Sequence, residues 1–305
     1  MKNPSFAKGI FFAVSAYFIW GISPLYWNLL GAIDSFHLLA LRIILSMTVL
    51  GGILTLGKNF AWLTFFKDRE KRPGIIVAAI ILGINWGVYL WAFTQGRIIE
   101  ASLGYYINPL ISIVLGLFFF KEKLSVLQWM AFALACLGVL ILTVFSGVFP
   151  WISVALALCF GFYGLIKKKL KLPPLESLTS ETLLLVPVGF FLLFVNVDAG
   201  AAGINLLPTT ENFSHILSLG VAVLVPLAFC GVFSALPLYF FGSSVRVLPL
   251  STLGFLQFVS PTMMFFIGLF VFEEVFPMHH FIAFAVIWLA VILYIISIKQ
   301  KQAQG

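Results

Sequence analysis

Long apolar runs, separated by short stretches with charged residues, proline or glycine, make up almost the whole of the 305-residue chain. The runs reach the roughly 20 residues that an α-helix needs to cross a bilayer. They do not show the short alternating strands of a transmembrane β-barrel. The pattern therefore predicts ten membrane-spanning helices. Their expected limits are residues 7–29, 35–56, 74–95, 99–120, 125–145, 150–167, 177–196, 217–240, 247–271 and 279–298.

Composition supports a polytopic membrane protein. Hydrophobic residues are 62% of the chain and charged residues 10%, whereas an ordinary soluble domain is about 25% charged. The first apolar run contains Trp20 and Pro24 and lacks a small-residue cleavage site, so we interpret it as a retained spanning helix. Without a transit peptide, such a chain suits a bacterial inner membrane.

The net charge of +7 does not indicate a nucleic-acid partner. The basic residues form short clusters between apolar runs, with no nucleic-acid motif, and are typical of topology signals that also contact anionic lipids. The three cysteines fall within apolar runs without paired spacing or an adjacent histidine. We expect them to be small buried side chains, with no metal and no disulfide.

The distribution of lysine and arginine predicts the orientation. With the N-terminus inside, the outer loops hold only Arg97, and the positive-inside rule places both termini in the cytoplasm. The residues that this orientation puts on the inner side are Lys2, Lys8, Lys58, Lys67, Arg69, Lys71, Arg72, Lys121, Lys123, Lys167, Lys168, Lys169, Lys171, Arg246, Lys299 and Lys301.

An internal repeat joins the fourth and ninth predicted spans. The segment "GYYINPLISIVLGLFFFKEKL" aligns with "GFLQFVSPTMMFFIGLFVFEEVF", so that Pro109 matches Pro261 and Glu122 matches Glu274. The unit is five helices, and an odd number of spans makes the two copies inverted relative to each other. Inverted repeats of this kind are typical of secondary transporters that bind substrate near the midplane.

Several segments resemble a known family. "AYFIWGISPLYW", "NWGVYLWA", "EASLGYYINPL", "FYGLIKKK", "ETLLLVP" and "LSTLGFLQF" together are similar to the RarD proteins, in the EamA-type branch of the drug/metabolite transporter superfamily. One departure is "QFVSP", where Phe258 and Ser260 stand in place of an expected tyrosine and glycine.

The resemblance implies an all-α membrane protein of ten transmembrane helices, arranged as two inverted five-helix EamA repeats around a central cavity. The expected units are a first repeat at 7–145, a second at 150–298 and a cytoplasmic tail at 299–305. The family's permeases imply a secondary active transporter of small metabolites, amino-acid-like compounds or drugs, with export favoured.

Arg42 is the most informative single residue, since an unpaired arginine within a span costs roughly 2.5–3.5 kcal/mol on insertion scales. Its counterpart in the inverted unit is Glu181. The two could pair directly as a gate, or Arg42 could bind a substrate carboxylate and Glu181 an ammonium. Glu181 could instead carry a coupling proton. Simpler alternatives are that Arg42 extends to the outer surface and that Glu181 is solvated at the cytoplasmic end.

Pro109 is expected to kink or break the fourth span near Tyr105, and Pro261 to act similarly in the ninth. We interpret the two prolines as hinges. Tyr105, Tyr106 and Asn108 lie beside the first kink and could line the cavity, although Asn108 could also serve as a helix-to-helix hydrogen bond.

Three further residues are candidate cavity-lining groups: Asn85 and Trp86 of the third span, and Gln257 just before the second kink. Gly83 and Gly87 flank the first two and predict close helix packing. Glu122 and Glu274 end their spans and are interpreted as helix caps or interfacial groups rather than site residues.

No Walker A loop, HExxH, GxSxG or His/Cys cluster is present, so no cofactor and no catalytic residue are expected. Alternatives left open are a membrane enzyme acting on lipid-linked substrates through Glu100, Glu181 or Arg42, a non-transporting receptor or scaffold, and a passive channel. The expected partners are a small-molecule substrate and membrane lipids, with proton coupling and a homodimer left open.

Overall fold

The structure, a computed structural model, describes residues 4–60, 62–63, 68–94, 98–145, 147, 150–197, 204–206 and 216–303. Of these, it describes the backbone alone at 4, 90–91, 93–94, 98–102, 195–197, 204–206 and 301–303. Lys2, Lys67 and Arg97 of the orientation argument, and the side chains of Glu100 and Lys301, lie outside the described part.

Ten stretches of helix are long and apolar enough to cross a membrane, which confirms the predicted number of spans. Because ten is even, Pro4 and Ala303, the first and last helical residues, lie on one face of the molecule, here called the terminal face. The helices are α1 (Pro4–Leu29), α2 (Ser35–Leu56), α3 (Arg72–Thr94), α4 (Ile98–Phe120), α5 (Val126–Phe145), α6 (Trp151–Leu170), α7 (Pro174–Leu193), α8 (Val221–Val245), α9 (Leu250–Gln257), α10 (Val259–Phe270) and α11 (Met278–Ala303).

The ninth span is divided at Phe258 into α9 and α10. The break lies directly after Gln257, four residues before Pro261, where a proline ring clashes with the preceding turn and removes a backbone donor. The fourth span, in contrast, has no break at its proline. Pro109 lies inside α4, which continues unbroken from Ile98 to Phe120.

Several other boundaries differ from the expected ones by up to five residues, as at the end of the eighth span, which is Val245 rather than 240. The sixth span does not stop at residue 167 but continues to Leu170, so Lys167 lies inside a helix rather than in a loop. After α7, β1 (Val195–Val197) pairs antiparallel with β2 (Ile204–Leu206), and Val195 lies opposite Leu206. The sequence pattern did not predict this short hairpin.

The helices of the two halves pack against each other in matched pairs. Helix α1 packs on α8 as α6 packs on α3, and α2 packs on α8 as α7 packs on α3. Likewise, α4 contacts α6 as α1 contacts α9 and α10. The remaining large contacts, α2 with α7, α4 with α9 and α5 with α11, join spans at equivalent positions. Most of the interior is therefore formed between the halves.

The interior between α1, α6 and α8 is aromatic. Phe241 stacks on Tyr163 at 6.2 Å between ring centroids and contacts Phe160 at 5.0 Å and Trp20 at 5.9 Å. Tyr17 and Tyr163 are fully buried. Large apolar side chains such as Phe118, 79% exposed, cover the outside and suit contact with lipid.

The start of α2, which carries Arg42, is fixed by a side-chain cap. The carboxylate of Asp34 accepts hydrogen bonds from the backbone N–H groups of Phe36 (2.9 Å) and His37 (3.3 Å), and lies 3.1 Å from the His37 ring. Partial burial would raise the pKa of Asp34, but these hydrogen bonds together outweigh it and hold the pKa below its ordinary value.

Candidate substrate site and terminal-face network

Arg42 lies eight residues into α2, counted from Ser35, and its guanidinium is enclosed by three other helices. The guanidinium carbon lies 4.4 Å from the ring centroid of Trp27 on α1 and 5.0 Å from that of Trp86 on α3. Its Nε donates to the hydroxyl of Ser234 on α8 at 3.3 Å. Arg42 therefore faces the interior of the bundle and does not extend to the outer surface.

Two cation–π contacts contribute roughly 0.5–2 kcal/mol each, enough to offset a large part of the cost of an arginine within a span. Apart from Nε, which donates to Ser234, the N–H donors at the edge of the guanidinium have no hydrogen-bond partner among the described residues. Among the residues that the structure describes, no carboxylate lies within 4 Å of Arg42. The ionisable side chains around it are Tyr26, Tyr89, Tyr105 and Cys230, which are ordinarily neutral at pH 7.

Aromatic rings continue from this arginine in two directions. The ring of Tyr26 stacks on Phe233 at 3.9 Å, and its hydroxyl donates to the carbonyl of Pro226 at 2.6 Å. On the other side, Tyr89 and Tyr105 meet edge to face at 6.4 Å. The arrangement is a positive charge set in an aromatic wall, and it suits an anion attached to an apolar body.

Glu181, eight residues into α7, lies in a second polar cluster near the terminal face. One carboxylate oxygen accepts from the Nζ of Lys167 at 2.7 Å and from Ser177 Oγ at 2.6 Å; the other accepts from the Tyr163 hydroxyl at 2.8 Å. The carboxylate is fully buried, and Lys167 is 6% exposed. We call Tyr163, Lys167, Ser177 and Glu181 the terminal-face network.

This network excludes two of the alternatives left open for Glu181 and corrects the interpretation of Lys167. Glu181 is not solvated, and Lys167 is not only a topology signal, since the two form a buried ion pair. Arg42 and Glu181 do not pair. Gly189 packs against Ile43 and the Ala40 carbonyl beside Arg42, and Glu181 precedes Gly189 by eight residues, roughly 12 Å along the helix.

Asn85 and Trp86 have different surroundings although they are adjacent. The Trp86 ring covers the Arg42 guanidinium, whereas the Asn85 amide donates to the backbone carbonyl of Leu156 on α6 at 3.1 Å. Asn85 therefore joins α3 to α6. A side chain at Gly83 would meet Leu185, as the predicted packing requires, but nothing lies within 4 Å of a Cβ at Gly87.

The residues around the two prolines meet in the middle of the bundle. Tyr106 reaches from α4 toward the carbonyl of Pro261, with its hydroxyl 3.5 Å away, and packs edge to face on Phe284. Gln257 is buried at the end of α9. The backbone carbonyl of Pro109 would lie 2.5 Å from a Cβ at Gly254, so α4 and α9 cross here in close contact.

The buried side-chain atoms without a hydrogen-bond partner in the described part include Asn108 Oδ1 on α4 and the Tyr17 hydroxyl on α1. Leaving such a group unsatisfied costs about 1–3 kcal/mol. Asn108 therefore does not act as a helix-to-helix hydrogen bond through this oxygen. No group of three His, Cys, Asp or Glu side chains that could hold a metal occurs in the described ranges.

Sequence reasoning missed Trp27, Tyr163, Lys167, Ser177 and Ser234. Nothing in their spacing marks them, because each is brought to its partner by a different helix. The exception is Lys167, whose position one turn before the end of a spanning helix is a signal that could have been used. For Glu122, the sequence analysis offered a helix cap or an interfacial group, and the structure shows a helix cap.

The Glu122 carboxylate caps the start of α9. It accepts from the backbone N–H groups of Leu250 (2.8 Å) and Ser251 (2.9 Å) and from Ser251 Oγ (2.6 Å). Lys168 lies 3.8 Å from the same carboxylate and donates to the Leu248 carbonyl. This contact joins the end of α4 to the start of α9 on the terminal face.

Comparisons with known proteins agree on one kind of protein. The EamA-like transporter family matches residues 7–144. The uncharacterized transporter YojE of Bacillus subtilis (strain 168) is 38% identical over 309 residues, which cover 99% of this chain and 99% of YojE. Protein RarD of Streptomyces exfoliatus is 37% identical over 287 residues, covering 93% of this chain and 87% of RarD.

A solved crystal structure shares the fold. It superposes with a TM-score of 0.67 at 16% sequence identity and covers 93% of this chain and 96% of that chain. At that identity the likeness concerns the arrangement of the helices alone.

Proposed function

This chain belongs to the EamA-like transporter family, and on that premise we propose that it is a secondary active transporter that moves a small metabolite by alternating access. Its ten apolar helices and its transporter relatives make it a multi-pass protein of the bacterial inner membrane. Export is the proposed direction, and both termini are proposed to be cytoplasmic.

The two halves are proposed to be the moving repeats, residues 7–145 and 150–298, followed by a tail at 299–305. The matched pairs of helix contacts support this division, because the large contacts of one half have counterparts in the other. A structure built from two such halves can close one face and open the other when the halves change how they pack against each other.

One observation carries the proposal: matched positions in the two halves are in opposite states. Arg42 and Glu181 are both the eighth residue of their helices. Arg42 is half-buried with guanidinium edges free of described carboxylates, whereas Glu181 is fully buried and bonded through both oxygens. This asymmetry supports a transporter that is closed at its terminal face and accessible from the opposite one.

In the proposed cycle, substrate binds at Arg42 beside Trp86 and Tyr105, with the interior groups Asn108 and Gln257 below. Opening toward the terminal face separates Lys167 from Glu181, and the break between α9 and α10 near Pro261 absorbs the change in backbone angle. Pro109 is the weaker hinge of the pair, since α4 is continuous there. Asn85 and Tyr106 hold neighbouring helices in register.

Counterflow in proteoliposomes tests the proposal. Vesicles containing the full chain are preloaded with a mixed pool of amino acids and small organic acids and amines, and labelled compounds are added one at a time. We expect saturable, trans-stimulated uptake of at least one compound, lost in Arg42→Ala. If folded wild-type protein exchanges none of them, or conducts without trans-stimulation, the proposed function is wrong.

A further inference from the structure

The charge around Arg42 indicates what kind of substrate this site takes. Within the described residues, the guanidinium is the charged group of the site; its ionisable neighbours are three tyrosines and Cys230. Its described partners are one hydroxyl and two indole rings. Indole faces satisfy the charge without using the N–H donors at the guanidinium edge. Ser234 uses the Nε donor, and the remaining terminal N–H groups can still bind a carboxylate.

A zwitterion would need a second, negative group to bind its ammonium, and the carboxylates described in or beside the interior already have partners. Asp34, on the same side as Arg42, caps the start of α2 and contacts the His37 ring. The Glu181 carboxylate is already bonded to Tyr163, Lys167 and Ser177. The Glu122 carboxylate is bonded to the start of α9 and faces Lys168. Both belong to the terminal-face side of the molecule, whereas Arg42 lies on the other.

The shape of the surroundings adds a second requirement. The guanidinium is bordered by Trp27 and Trp86, and Tyr89, Tyr105 and the stacked pair Tyr26 and Phe233 extend the aromatic wall. Flat apolar groups pack on such rings with little loss of conformational entropy. A polar body would leave its own hydrogen-bonding groups unpaired here.

From these three observations we infer that the Arg42 site takes a small organic monoanion with a planar apolar body, and selects against amines and zwitterions of the same shape. This inference deepens the proposed function and rests on it. The carboxylate lies in the plane of the guanidinium and accepts from its edge, while the apolar body contacts the tyrosine and tryptophan rings.

Four probes of one shape test the inference: 3-phenylpropionate, its neutral amide, phenethylamine and L-phenylalanine. Binding to the purified full chain in nanodiscs is measured by titration calorimetry, with quenching of tryptophan fluorescence as a second readout near Trp27 and Trp86. We expect 3-phenylpropionate to bind at least about tenfold more tightly than each of the other three, because they lose the charge-assisted bidentate contact or bring an unpaired ammonium.

Variants of two arginines test whether the preference for 3-phenylpropionate depends on Arg42. Arg42→Lys keeps the charge but loses the planar fork, and should weaken 3-phenylpropionate binding about tenfold; Arg42→Gln should abolish the preference over the amide. Arg246→Gln removes an exposed arginine at the end of α8 and should change nothing. Because the ligand comparison uses wild-type protein, a variant that fails to fold does not affect it.

Phenylalanine or phenethylamine binding as tightly as 3-phenylpropionate would overturn the inference, and so would no binding of any probe. The variant Glu100→Gln tests one explanation for tight phenylalanine binding; the side chain of this residue lies outside the described part. If phenylalanine binds the wild type tightly and this variant weakly, Glu100 supplies a second charge in the site. If the inference fails in this way but another compound shows counterflow, the proposed transporter function is retained and only the proposed substrate class is wrong.

Discussion

Individual buried charges distinguish the two faces of this protein. Arg42 is stabilised by two indole rings and one hydroxyl, an arrangement that holds a cation without neutralising it. Glu181 is neutralised by Lys167 and held by two further hydroxyl groups. The first arrangement leaves the cation without a described counter-charge, whereas the second pairs the buried carboxylate completely.

The buried ion pair of the terminal-face network should show strong coupling. Lys167→Met and Glu181→Gln each leave the other charge buried without a partner, which costs roughly 3–5 kcal/mol. The double variant removes both charges and should be far less destabilised than the sum of the single changes. Thermal unfolding in detergent measures the cycle, and Lys169→Met, at an exposed lysine of the same helix, is the control. Additive effects would contradict the pairing.

How much of this the sequence could predict differs from residue to residue. Arg42 and Glu181 are found from sequence because a charge within an apolar run is costly and therefore conspicuous. Their partners are not found, because Trp27, Ser234 and Tyr163 are ordinary residues for a membrane helix and become partners only through tertiary packing. The failed Arg42–Glu181 pairing shows the same limit: equivalent positions in inverted repeats lie toward opposite faces, not beside each other.

At the scale of elements, the crossing of α4 and α9 joins the two halves at the centre of the molecule. Gly254 allows this crossing because a Cβ there would lie 2.5 Å from the Pro109 carbonyl and 2.7 Å from Ile113. The number of spans was predictable from apolar length alone. The unequal behaviour of Pro109 and Pro261 was not, because whether a proline bends or breaks a helix depends on its neighbours.

Gly254→Ala should therefore lower the midpoint of thermal unfolding. The backbone carbonyl of Pro109 must move away, and such overpacking costs typically about 1–3 kcal/mol. Gly87→Ala is the matched control in another spanning helix, where a Cβ would meet nothing within 4 Å. It should be neutral or stabilising, since alanine favours helix by roughly 1 kcal/mol over glycine. Equal midpoints for the two variants would argue against the close crossing.

At the scale of the whole molecule, orientation in the membrane follows from the charge distribution. Lys123 lies in the loop between α4 and α5 on the terminal face, and Glu273 in the loop between α10 and α11 on the opposite face; both are exposed. Their loops are predicted to be cytoplasmic and external respectively.

Thiol labelling tests that orientation. Single cysteines at Lys123→Cys and Glu273→Cys are placed in a chain lacking Cys136, Cys159 and Cys230. In right-side-out membrane vesicles, an impermeant reagent should label the Glu273→Cys protein and reach the Lys123→Cys protein only after the membrane is opened. The reverse labelling pattern would place the termini outside the cell, and the site at Arg42 would then face the cytoplasm in the conformation described here.

The central claim is that a monoanion bound at Arg42 is exposed to the two sides in turn. Its most direct test is the uptake of labelled 3-phenylpropionate at pH 8, where passage of the neutral acid is small, into proteoliposomes with and without the unlabelled compound inside. Protein-free vesicles give the background. We expect preloading to produce a transient overshoot with wild type and Arg246→Gln and none with Arg42→Gln. Uptake that is the same in preloaded and empty vesicles, or an overshoot that survives Arg42→Gln, would contradict the account.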